Sequence, residues 1–174
     1  MRSWRKSEVA AANVLAVSRP NDRLRELGLT LPAPPAPAAS YVPTRLVPLG
    51  GGKALLFIAG QVSSRDGTRL TGRCPDEVTV EQAQEAARAA ALNVLAQIEG
   101  AVGLDHVEEF AQLSGWVLSA DGFGDQPKVM NAASDLIAGV LGEAGKHTRA
   151  ALGASALPFS VTVEITAVVV VRQD

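Results

Sequence analysis

Two charged side chains near the C-terminus have the types and setting to do chemistry. Arg149 stands in the run Thr148-Arg149-Ala150-Ala151-Leu152-Gly153-Ala154, and Glu164 in Val161-Thr162-Val163-Glu164-Ile165-Thr166-Ala167. A charge among small and apolar residues costs several kcal/mol, roughly, to desolvate unless it has a partner or a ligand. Arg149 offers a planar fork of N–H donors suited to a carboxylate, and Glu164 an acceptor that can hold a water. If their two strands are neighbours, the pair describes a site for a small anion. The plainer readings are an ion pair from Arg149 across a subunit boundary, or Arg149 and Glu164 as each other's structural partners. His147, two residues before Arg149, can share its face but is expected to be solvated. Cys74 follows Arg73 in a polar stretch and is expected to be incidental rather than nucleophilic.

Composition narrows the function classes. With 174 residues the chain fits one domain, which at about this size buries roughly 70% of its unfolded surface. Eighteen acidic residues nearly balance 16 basic ones, so there is no nucleic-acid footprint. One cysteine forbids an internal disulfide, and two separated histidines, His106 and His147, argue against a metal centre. The apolar C-terminal strand is too short to cross a bilayer as a helix. The expectation is a cytoplasmic protein with no metal, no cofactor, no nucleic-acid partner and no membrane contact. Residues 1–17 have a basic start and an apolar middle, but Glu8 and Asn13 interrupt it and no Ala-x-Ala site precedes Ser18, which argues against a signal peptide. Residues 1–20 are therefore read as a poorly ordered extension, or one upstream of a true start near Val17.

The elements that must position these side chains are legible from Asn21 onward. Asn21 or Asp22 can cap a short helix through Leu24 and Leu27 that stops at Gly28. Prolines 32, 34, 35 and 37 make residues 31–39 an extended, polyproline-like connector on the surface. Thr44–Val47 and Lys53–Ala59 read as strands joined by Gly50-Gly51-Gly52, and the sheet edge continues through Gly60-Gln61-Val62 to the Asp66-Gly67 turn. Thr79-Val80-Glu81-Gln82 is a capping box opening a helix to about Val102. Its apolar side holds Ala83, Ala87, Ala91, Val94, Ile98 and Val102, with Glu81, Glu85, Arg88 and Gln97 elsewhere around it. Val107–Leu118 reads as a strand, Gln126–Leu141 as a second long helix with Pro127 in its first turn, and Arg149–Ser155 and Val161–Val171 as the last strands. In the final strand Val161, Val163, Ile165, Val169 and Val171 share one face and Thr162, Glu164 and Thr166 the other, while Val168 and Val170 make its far end apolar on both.

The order β-β-α-β-α-β-β predicts an α+β domain, a mixed sheet with two helices packed on one face. No third long helix is left to cover the other face, so self-association is the economical answer. That places Glu164 and Arg149 near a subunit boundary.

These residues resemble a known family. From Tyr41 to Val171 the chain is similar to the reactive-intermediate deaminases, also called RidA or YjgF. The likeness rests on Pro37-Ala-Ala-Ser-Tyr41, Phe57-Ile-Ala-Gly-Gln61, Ala86-Ala-Arg-Ala-Ala-Ala-Leu-Asn93, Asn131-Ala-Ala-Ser-Asp135 and Arg149…Leu157-Pro158…Val163-Glu164-Ile165. The last arrangement is the most specific. The resemblance implies a chorismate-mutase-like fold assembled as a homotrimer, with clefts between subunits and no cofactor. It implies hydrolysis of 2-imino acids, tautomers of enamines such as 2-aminoacrylate, to 2-keto acids and ammonia. Carried over, Arg149 would clamp the substrate carboxylate and Glu164 would orient and deprotonate the attacking water. Tyr41 would line the cleft, Gly60 would present backbone to the substrate, and Asn131 would shape the wall. Tyr41 could equally be interface packing and Asn131 a backbone cross-link. Two departures stand out: Ala151 where many catalytic members have cysteine, and Ala59 where many have serine. They keep open a second function, a non-catalytic trimeric binder of small carboxylates with a regulatory role. A ribonuclease ranks last, for want of a basic groove or paired histidines.

Overall fold

The computed structural model describes residues 19–37 and 39–173. The reading of the first 18 residues lies outside the described residues. The chain then runs α1 (Pro20–Glu26), β1 (Thr44–Gly50), β2 (Lys53–Val62), a short ribbon of β3 (Ser64–Arg65) and β4 (Thr68–Arg69), α2 (Val80–Ala101), β5 (Val107–Leu118), α3 (Gln126–Leu141), β6 (Thr148–Ala154) and β7 (Val163–Arg172). Helix α1 begins one residue before the expected caps. Arg19 is its N-cap without a side-chain bond, because Pro20 supplies the preset φ of a first helical residue.

Five strands form one mixed sheet in the order β1-β2-β7-β5-β6. Only β5 and β6 pair in parallel, which α3 makes possible as their crossover. The valine-rich final strand β7 occupies the centre, as its two-sided apolar pattern requires. Alternate residues Val163, Ile165, Ala167, Val169 and Val171 are buried under α2 and α3. Helix α2 opens on the predicted capping box: Thr79 Oγ1 accepts from the Gln82 amide, and Gln82 Oε1 accepts from the Thr79 amide. Its buried stripe of alanines, from Ala83 to Ala96, lets its backbone lie close to the sheet and to α3.

Two polar residues of α2 are buried. Gln97, which the sequence sets off the apolar side of the helix, donates to the Pro35 carbonyl at 2.6 Å, because the proline-rich connector crosses the helix there. Pro34 packs over Gly100, where a Cβ would meet its ring at 3.0 Å. Asn93 donates to the carbonyls of Val62 and Ser64, pinning the chain where β2 turns into β3. Each amide stays buried because backbone acceptors satisfy it. Cys74 is also buried, not in a polar loop, and desolvation pushes its thiol up and away from the nucleophilic thiolate.

The other face of the sheet has no layer over it among the described residues. Register places Val47, Leu55, Phe57, Val168 and Val170 together there, with Trp116 and Leu152 toward β6. Phe57 is 42% exposed and Leu152 48%.

Candidate active site

Glu164 is the second residue of β7 and lies on the open face. It pairs with Trp116 of β5 and with Val62 of β2, beside a register shift between Ile58 and Gln61. This bulge makes Ala59 and Gly60 skip the ladder, and the buried Gln61 amide donates to both of their carbonyls. Gly60 is needed here. A Cβ on it would lie 2.0 Å from Glu164 Oε1, so the carboxylate rests directly over the glycine backbone.

A cavity of about 840 Å³ opens at this point, walled by the connector, the bulge, the β3–β4 ribbon and the Pro158–Phe159 turn. Tyr41, Gly60 and Glu164 all line it. Burial alone raises the Glu164 carboxyl above the usual carboxylate range. No cation pulls it back, and among the described residues it has no hydrogen-bond or ion-pair partner. Such a carboxylate can hold a water and take a proton from it.

Arg149 is elsewhere. β6 and β7 are not neighbours, because β5 lies between them. Arg149 pairs with Leu113, three residues along from the Trp116–Leu152 pair that faces Glu164. An offset of two strands and three residues puts the two Cα atoms about 14 Å apart. An odd offset from Leu152 also turns Arg149 to the helix-covered side. The premise of adjacent strands thus fails within one subunit.

On its own side Arg149 is held by α3. Its Nη2 donates to Asn131 Oδ1 at 3.1 Å and to the Pro127 carbonyl at 3.3 Å, and its Nη1 donates to Ser134 Oγ at 3.0 Å. Three of five N–H groups are used in this way, leaving two at the edge strand for an acceptor. His147 completes the arrangement and is not the solvated side chain its sequence suggests. Its Nδ1 donates to the Gly145 carbonyl at 2.6 Å, so Nε2 accepts from the Ser134 hydroxyl at 3.0 Å, and the Phe110 ring lies 5.1 Å away. Ser134 therefore links His147 to Arg149. Its place in the Asn131–Asp135 motif, one helical turn after Asn131, was the available signal.

The five expected site residues thus fall into two groups: Glu164, Tyr41 and Gly60 around the cavity, Arg149 and Asn131 at the β6 edge.

The family model described as "YjgF/chorismate mutase-like, putative endoribonuclease" matches residues 21–169. The chain belongs to this family. The match takes in nearly all of α1, the proline-rich connector and most of the sheet. Protein TCP17 of Trypanosoma cruzi is 41% identical over 160 residues, covering 90% of this chain and 97% of the relative. A crystal structure called a putative endoribonuclease, from Shewanella oneidensis, has 29% identity and a TM-score of 0.80, covering 87% of this chain and 98% of that one. E. coli TdcF, solved with bound serine, has 27% identity and a TM-score of 0.54, over 83% and 96% of the two chains. Among the described residues no helix is long and apolar enough to cross a membrane.

Proposed function

We propose that this YjgF-family protein hydrolyses reactive 2-imino and 2-enamino acids to 2-keto acids and ammonia in the cytoplasm, at sites shared between the subunits of a homotrimer. One subunit supplies Glu164, Tyr41 and Gly60, and its neighbour supplies Arg149 and Asn131. The observation that carries this reading is the pair of half-sites: a desolvated, unpaired carboxylate lining a cavity, and an anchored arginine with two N–H groups to spare. Each lacks what the other has. The apolar open face supports assembly, since Phe57, Val168 and Val170 need a cover. The serine bound by TdcF, an α-amino acid, supports a ligand of this size and charge.

In the reaction the α-carboxylate sits on the Arg149 fork. Glu164 takes a proton from a water as the water oxygen bonds to the imine carbon. That proton passes to the imine nitrogen to give the neutral carbinolamine; transfer of the carbinolamine's hydroxyl proton through Glu164 to the same nitrogen then breaks the C–N bond, so that ammonia leaves and a C=O bond remains. The imine carbon is already electrophilic, so holding water and carboxylate in place supplies most of the acceleration.

Ala59 on the cavity wall and Ala151 beside Arg149 favour the second reading, a carboxylate binder without turnover. One experiment separates the two and tests the shared site. Arg149→Ala and Glu164→Gln proteins are assayed alone and after unfolding and refolding as an equal mixture, with enzymatically generated 2-aminoacrylate. Each variant alone is expected to be inactive. In a closed ring, random mixing restores both groups at one interface in four, so about a quarter of wild-type activity returns. No recovery in a mixture that reassembles argues against a site between subunits. A wild type that never speeds ammonia release, yet melts at higher temperature with a small carboxylate, is the binder.

A further inference from the structure

The cavity lined by Glu164 also holds a cation that the proposed chemistry leaves unused. Arg69, at the end of the β3–β4 ribbon, lines the same cavity as Glu164 and lies over the Phe159 ring, 3.8 Å from guanidinium carbon to ring centroid. Stacking occupies the face of the guanidinium and leaves its N–H edges pointing outward in the plane. Among the described residues no acid lies within ion-pair distance of Arg69, Glu164 included.

The backbone holds both members of this stack. Phe159 has φ 58° and ψ 17°, and Ser160 follows at φ 56°. A bulky side chain in the left-handed region is strained, and such strain persists where surrounding bonds over-determine it. They do so here. Gly72 N–H donates to the Ser160 carbonyl, Thr162 N–H to Leu70 O, and Leu70 N–H to Ser63 O, tying the turn to the residues that follow Arg69. The strained turn leaves the Phe159 ring 54% exposed, where burial contributes little to offset the strain. What the ring does there is hold Arg69 at the wall.

We propose that Arg69, braced by Phe159, clamps the side-chain acid of the substrate, so that this cavity selects 2-imino dicarboxylic acids such as 2-iminosuccinate and 2-iminoglutarate. This rests on the deaminase reading above, with Arg149 on the α-carboxylate and Arg69 on the distal one. A cavity of about 840 Å³, measured on one subunit, exceeds what a three-carbon acid needs. Supply would come from any flavin- or nicotinamide-dependent oxidation of a dicarboxylic amino acid at its α-carbon, and the products would be dicarboxylic keto acids.

The test compares wild type with Arg69→Ala on 2-iminosuccinate and 2-iminopropanoate, each made in place by an amino-acid oxidase. In parallel, thermal melts are run with oxaloacetate and with pyruvate. The expected result is a wild-type preference for iminosuccinate. Arg69→Ala should lower kcat/KM for it about 10–100-fold, the scale of one charge-assisted hydrogen-bonded pair, while 2-iminopropanoate changes less than about twofold. Oxaloacetate should raise the melting temperature of wild type more than that of the variant. Equal losses on both substrates would make Arg69 an α-carboxylate clamp and overturn the proposal, as would no loss on either. If wild type turns over no imine, the deaminase reading fails by itself. The melts then decide the clamp: an oxaloacetate shift that needs Arg69 upholds it, and equal shifts in both proteins overturn it.

Discussion

The two faces of the sheet are built from alternate residues of the same strands, yet they meet polar groups in opposite ways. On the covered face every buried amide has a backbone acceptor: Asn93 holds the β2–β3 corner, and Gln97 holds the connector. Arg149 at that face's edge is likewise tied to Asn131, Ser134 and Pro127. On the open face Glu164 is desolvated without compensation, beside exposed apolar side chains. A fully bonded group gives position, and an unbonded one retains free energy for a ligand. The covered face thus fixes positions, that of the Arg149 fork included, and the open face leaves a carboxylate and apolar side chains unsatisfied.

The comparison breaks first at Glu164. Glu164→Gln keeps the shape and removes the proposed base, so kcat should fall by about 10²–10⁴-fold. The wild-type profile of kcat/KM against pH should lose activity on acidification with a midpoint above that of an ordinary glutamate, because burial raises this carboxyl and only its ionised form accepts a proton. The Gln variant should lack that limb, and a limb surviving in it would assign the base elsewhere.

Gly60→Ala sharpens the point without touching a charge. Its Cβ would displace the Glu164 carboxylate, the mobile end of a side chain, so kcat should drop about 10–100-fold while the melting temperature barely moves. A parallel loss of stability would mean that the bulge itself had collapsed.

On the covered side the effects should be smaller. Ser134→Ala removes the link between His147 and Arg149 and should raise KM by about 3–10-fold, with kcat less affected. Substrates of different side chain should suffer alike, since the α-carboxylate is common to all. Thr79→Ala, far from both half-sites, should cost about 1 kcal/mol of stability through the lost cap. In a chain of this length that is a fall of about 2–4 °C in melting temperature, with kcat/KM unchanged.

Much of the architecture was legible because it rests on local rules. The Thr79 capping box, Pro127 at the start of α3 and the alternation along β7 placed those elements nearly to the residue. The burial of Gln97 and the half-burial of His147 are not legible in the chain for one reason: a polar side chain looks solvated until the segment packed against it is known. Arg69 and Phe159, 90 positions apart, carry no mutual signal in the chain.

The sequence by itself determined the elements, the alternation that sets Glu164 opposite the core, and the family, since periodicity, caps and motif spacing act over a few residues. Only the tertiary structure decided which groups meet. Strand order put β5 between Arg149 and Glu164, and the bulge at Gly60 set the carboxylate over bare backbone. Strand order and register arise from long-range packing of a whole face at once, and no local stretch of sequence records the outcome.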